Sequence, residues 1–147
     1  MAAGVSGPLY TREILRLAAS LGEPVVLDRV DGAVERRAVT CGIQISISVT
    51  VEGDRVSAVS QRVEACAFGQ AATALMLADA PGRTLDEARL ALAGIERWLM
   101  GDDAAVTAWP GLAVLNPARS RIGRHGAILL PFQALLGALE AAREEAG

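Results

Sequence analysis

Lysine is absent from this 147-residue chain, and all fourteen basic residues are arginine. That absence excludes a lysine Schiff base and the phosphate-gripping lysine of a P-loop. Histidine occurs once, as His125, and cysteine twice, as Cys41 and Cys66. Two cysteines and one histidine cannot build a four-ligand zinc site on their own. A lone histidine also rules out the His-pair motif of helical metalloproteases. With so few titratable partners no acid–base or nucleophile constellation can be assembled, and the chain is expected not to be an enzyme. Aromatic residues make up only 3%, so the core must be built mainly from Ala, Leu, Val and Ile.

The net charge of -3 lacks the concentrated positive charge that phosphate backbones require, so nucleic acid is not expected as a partner. The first residues show no basic region followed by a long apolar core, hence no signal peptide is expected. No apolar run in the sequence reaches the length of a bilayer, which leaves no membrane role. The expectation is a cytoplasmic protein with reduced thiols. The length suits a single domain over residues 1–147 with one core, and its apolar, weakly charged character allows a homo-oligomer.

The clearest pattern present is an alternation. Ile43, Ile45, Ile47, Val49 and Val51 alternate with Gln44, Ser46, Ser48, Thr50 and Glu52, the period of a strand with one buried and one wet face. Gly53-Asp54 supplies a turn, and residues 56–64 return as an antiparallel partner. Residues 33–39 form a further candidate strand after the Asp31-Gly32 turn signal. Helical spacing marks residues 8–21, ended by Gly22 and Pro24, and residues 67–80, ended by Pro81-Gly82. Thr84 and Glu87 form a capping box for a helix over 85–100. Residues 101–123 read as a loop or broken segment. A last helix spans about 127–145, where Pro131 is tolerable only in the first turn. Helix, three strands, then helices indicate an α+β fold, a small antiparallel three-stranded sheet with helices packed on one face.

This arrangement puts Cys41 before the central strand and Cys66 just past the end of its hairpin partner, so both sulfurs are expected at one edge of the sheet. Cysteine is among the most buried residue types, and two inert structural thiols are the plain alternative. Cys66 opens a helix, however, where the helix dipole and unpaired N–H groups favour a thiolate. Trp98 and Trp109 read as core or loop anchors. Arg119, Arg121 and Arg124 read first as a solvated loop, and second as a docking surface or a cation beside thiolates.

Four segments resemble the U-type iron–sulfur cluster assembly scaffolds, the IscU/SufU/NifU N-terminal-like proteins. They are Leu9-Tyr10-Thr11-Arg12-Glu13-Ile14-Leu15, Cys41-Gly42 with its alternating strand, Ala65-Cys66 with Ala71 and Met76, and Gly82-Arg83-Thr84-Leu85-Asp86-Glu87-Ala88. The resemblance runs from about Leu9 to the last helix. It implies a site of three cysteines and an aspartate that holds a cluster or a zinc ion. Here two of the four remain, Cys41 and Cys66. Ile43 stands in the aspartate position and Ala127 in that of the third cysteine. His125, two residues away from Ala127, offers an imidazole in exchange, giving a Cys41, Cys66 and His125 set.

The resemblance thus implies a scaffold or carrier that receives sulfur from a cysteine desulfurase, binds iron and passes a [2Fe–2S]-type cluster to recipient proteins. Cys66 is then the candidate sulfur acceptor. With so few thiolates, the cluster is expected to be weakly held, bridged between subunits or completed by a partner or glutathione. Two alternatives stay open. One is a degenerate member acting as an interaction or regulatory module without a cluster. The other is a zinc-bound sulfur acceptor.

Overall fold

The computed structural model describes residues 10–38 and 42–146, which leaves Val39, Thr40 and Cys41 outside the described residues. The elements are α1 (Arg12–Ala19), β1 (Gly32–Ala38), β2 (Ile43–Glu52), β3 (Arg55–Glu64), α2 (Ala67–Asp79), α3 (Leu85–Leu99) and α4 (His125–Ala146). The three strands form one antiparallel sheet in the order β1-β2-β3. This is the α+β arrangement that the alternation and the turn signals predict.

The alternating strand is central. Ile43, Ile45, Ile47 and Val49 are buried on its inner face, while Ser46, Ser48 and Thr50 lie on the other. The inner face is covered by α4, which lies across β1 and β2 and also packs on α2 and α3; α1 packs on α2. Contact between α4 and β1 is close enough to require glycine. A Cβ on Gly32 would stand 2.1 Å from the Ala138 carbonyl oxygen and 2.6 Å from the Ala142 nitrogen.

Among the described residues no helix covers the outer face; the segment joining α1 to β1 crosses it. Asp31 takes a hydrogen bond from the Val51 amide at 2.8 Å, Arg29 donates to the Val51 carbonyl at 2.8 Å, and the Ser60 hydroxyl donates to the Val25 carbonyl. This strap carries no hydrophobic periodicity, which is why its path is not readable from the sequence.

Two expectations need correction. The last helix begins at His125 rather than at Ala127, directly after a 3-10 turn at Ile122–Arg124. Pro131 therefore falls in the second turn, not the first. Its missing N–H removes the usual donor to the Ala127 carbonyl, and that carbonyl lies beside Gly69 of α2. The broken segment, in turn, is not featureless. It holds 3-10 turns at Asp103–Ala108 and Leu112–Ala118. It is anchored by Trp109, whose indole N–H donates to the Leu75 carbonyl at 2.7 Å.

The stretch Ile122–Ala146 is long and apolar enough to cross a bilayer by length and composition, although most of it is buried inside the fold. No single apolar run reveals it, since Arg124 and His125 precede and Glu140 and Arg143 follow its apolar middle. A helix wrapped by sheet and helices is apolar on nearly every side for the same reason that a membrane helix is.

Candidate thiol and imidazole site

The hairpin β2–β3 pairs Gln44 with Glu64 at its open end. The chain therefore enters β2 and leaves β3 at one edge of the sheet. Immediately beyond β3, Cys66 takes extended backbone (φ -67, ψ 173) and becomes the N-cap of α2. Its side chain makes no capping hydrogen bond. Cys66 is half-buried, a free thiol packed against the edge of the core. Cys41, its expected neighbour, lies outside the described residues.

One turn into α2, Gly69 forms the floor of an apolar seat. A Cβ there would meet the Ala65 Cβ at 2.6 Å, the Ile43 Cδ1 at 2.8 Å and the Ala127 carbonyl oxygen at 3.6 Å. Ile43 and Ala127, to which the resemblance gives the positions of the aspartate and the third cysteine, thus converge on one spot, with exposures of 2% and 0%. Full burial of an isoleucine is worth about 1.5–3 kcal/mol. An isolated glycine inside an Ala-rich helical run is a recognised sign of close approach, and Gly69 was the available signal for this contact.

His125 opens α4, two residues before Ala127, whose carbonyl oxygen is the point where the first turn of α4 meets Gly69 of α2. The imidazole is half-buried, and its Nε2 lies 2.9 Å from the Arg119 carbonyl oxygen. A carbonyl can only accept, so Nε2 carries the proton and a neutral ring has its lone pair on Nδ1.

Arg119 departs from the solvated-loop reading. Its side chain is only 19% exposed; it pairs with Asp103 at 2.7 Å, donates to the Trp98 carbonyl at 2.8 Å and lies 4.8 Å over the Trp98 ring. Those partners sit on α3 and its following turn, and no local pattern signals them. Arg121 is exposed, as expected, while Arg124 is half-buried. Trp98 and Trp109 are both buried anchors.

Among the described residues no group of three or more His, Cys, Asp and Glu side chains stands together as a metal cage. The donor chemistry present is a soft thiol and an imidazole, which suits zinc, copper(I) or iron. The resemblance would add Cys41, for a set of three, one short of a tetrahedral shell. A surface cleft of about 420 Å³ is lined by Gly22, Gln61, Glu64 and Gln70, at the end of β3 and the start of α2, and others lie further along the fold. One of about 300 Å³ is lined by Gly53, Asp54, Thr84 and Arg143 near the hairpin turn, and one of about 400 Å³ runs along α3.

No protein-family profile and no curated protein matches the chain. Solved structures do. A NifU-like N-terminal protein from Brucella abortus is 24% identical, with a TM-score of 0.78 over 92% of this chain and 95% of its own. A protein from the thermophile Fervidobacterium islandicum, described as an iron–sulfur cluster assembly scaffold for the SUF system, is 21% identical. Its TM-score is 0.81 over 89% of this chain and 96% of its own. A third, described only as a hypothetical protein, reaches a TM-score of 0.74 at 22% identity, over 90% of this chain and 97% of its own. The chain has the fold of the U-type, NifU- and SufU-like scaffolds.

Proposed function

We propose that this protein works in iron–sulfur cluster assembly as a scaffold or carrier. It takes iron and sulfide, or a formed [2Fe–2S]-type cluster, as cargo on Cys66, with Cys41 and His125 as further donors. The observation that carries the reading is Cys66 itself, set at the first position of α2 with its sulfur unused by the helix it caps. The fold shared with two assembly-type proteins supports it. In this role the protein turns over no small molecule. A cysteine desulfurase supplies its sulfur, recipient proteins accept its cargo, and it acts in the cytoplasm.

The seat at Ile43, Gly69 and Ala127 adds a refinement. A [2Fe–2S] cluster takes four terminal ligands, and this chain offers three. The fourth comes from outside, from a second copy, a partner thiolate or a small thiol such as glutathione. A single zinc ion with one open position fits the same donor count. The apolar filling also favours a second reading, an interaction module without a cluster that keeps only the docking surfaces of the fold.

Ala127→Cys separates these. Cysteine is small enough to replace a buried alanine, and it restores a thiolate in the seat. Reconstitution with iron and sulfide, followed by gel filtration, should leave the wild type loaded only when glutathione is present or the protein is concentrated, and Ala127→Cys loaded in either case. Failure of both proteins to retain iron under every condition would favour the interaction module.

A further inference from the structure

His125 is held in a way that goes beyond its being present. Histidines bound to metal nearly always donate the second ring N–H to a carboxylate or a backbone carbonyl, which fixes the tautomer and the ring plane. Here that acceptor is the Arg119 carbonyl, 2.9 Å from Nε2. The carbonyl is itself held in place, because the Arg119 side chain is pinned by the Trp98 carbonyl, by Asp103 and by the Trp98 ring. The Arg119 amide donates to Asn116 at 3.1 Å, and Arg121 and Arg124 continue the chain of 3-10 bonds up to His125. The Arg119 carbonyl is thereby a fixed acceptor for the half-buried imidazole.

From this we infer that Arg119 is a positioning residue: it holds its own carbonyl on the His125 Nε2–H and leaves Nδ1 as the atom that ligates metal. The inference deepens the proposed function and rests on the reading of His125 as a donor. Arg119 touches no cargo. It acts through the ring, and its guanidinium fork anchors the loop to the end of α3.

The chain has a single histidine, so nitrogen NMR of the uniformly labelled full chain observes one imidazole. The wild-type neutral ring should be the Nε2-protonated tautomer, and zinc(II), used as the probe ion, should shift Nδ1 and leave the Nε2 proton in place. Arg119→Ala should mix the tautomers and weaken zinc binding by about ten- to a hundredfold. Arg119→Lys keeps the charge but cannot make both side-chain bonds, and should fail to rescue either property. Asp103→Ala removes one exposed partner and should give a smaller change of the same sign, so the test survives even if Arg119→Ala folds poorly. Arg121→Ala should change nothing.

An Nδ1-protonated ring in the metal-free wild type, or an unchanged tautomer and zinc affinity in Arg119→Ala, overturns the role of Arg119. Zinc that binds but shifts Nε2 overturns the assignment of the ligating atom. Zinc that leaves both nitrogens unshifted removes His125 from the donor set and overturns this inference. Loss of bound zinc in Cys66→Ser would then show that the thiol reading stands without it.

Discussion

Two helices begin within twenty residues of each other, and they begin differently. At α3, Thr84 accepts from the Glu87 amide at 3.1 Å while the Glu87 carboxylate accepts from the Thr84 amide at 2.9 Å, a complete capping box. Arg55 adds an ion pair to Glu87 at 3.7 Å. At α2 the capping position is a cysteine whose sulfur bonds to no amide. Helix α1 follows α3: the Thr11 hydroxyl takes the Ile14 amide at 3.1 Å. Oxygen caps are worth about 1 kcal/mol, so the chain uses them where only stability is at stake. It forgoes one at α2, whose first turn carries the apolar seat. On the proposed reading, the oxygen caps of α1 and α3 serve folding and the uncapped start of α2 serves cargo.

The comparison can be pressed from the strongest effect to the weakest. Ile43→Asp returns a carboxylate to the seat and buries it without a cation, on the order of 3–5 kcal/mol of destabilisation by analogy with a charge stranded in a core. Urea unfolding should show that loss in metal-free protein, and zinc(II) should recover part of it.

Thr84→Ala removes the α3 cap and should cost about 1 kcal/mol, with no change in iron or sulfide content. At α2 the sign reverses. Cys66→Ser places an oxygen where the helix lacks one and should raise the unfolding free energy by about 0.5–1 kcal/mol, measurable as a shift in urea midpoint. A loss of stability on this substitution would mean that the thiol is a packing residue.

The smallest effect is on acid stability. The Glu87 carboxyl is held below the usual carboxylate range, chiefly by the Thr84 amide and then by Arg55 and Arg83. Asp31 is lowered likewise, chiefly by the Val51 amide and also by Arg29. For a depressed carboxylate the stabilisation is complete above the ordinary range and is lost as pH falls through the folded value. Glu87→Gln and Asp31→Asn should therefore lower stability near neutrality, leave it little changed in strong acid where that contribution is already lost, and so flatten the acid side of the profile, seen in thermal melts across pH.

Much of this was legible in the sequence, where the signal is local. The period-two strand, the Gly53-Asp54 turn, the Thr84 box and the helix after Cys66 all follow from neighbouring residues, and the structure has each of them. What escaped depends on distant partners. Arg119 looks solvated until Trp98 and Asp103 are placed around it. The strap across the outer face is held by hydrogen bonds that span about twenty residues or more, such as Arg29 to Val51. At the site, Ile43 was readable as an inward residue of the strand and Ala127 only through the resemblance. That they fill one seat above Gly69 is a packing fact, and packing between helix starts leaves no periodic trace. Cys41 lies outside the described residues, so its place beside Cys66 rests on hairpin geometry and on the resemblance.

The most direct test of the central claim, that the uncapped sulfur of α2 is kept for cargo, is iron and acid-labile sulfide content. It should be measured on anaerobically purified wild type, Cys66→Ser and Thr84→Ala side by side, with glutathione present throughout. The account expects iron with equimolar sulfide in the wild type and in Thr84→Ala, and neither in the more stable Cys66→Ser. Equal loading of all three proteins would contradict it and return Cys66 to the core as a small apolar residue.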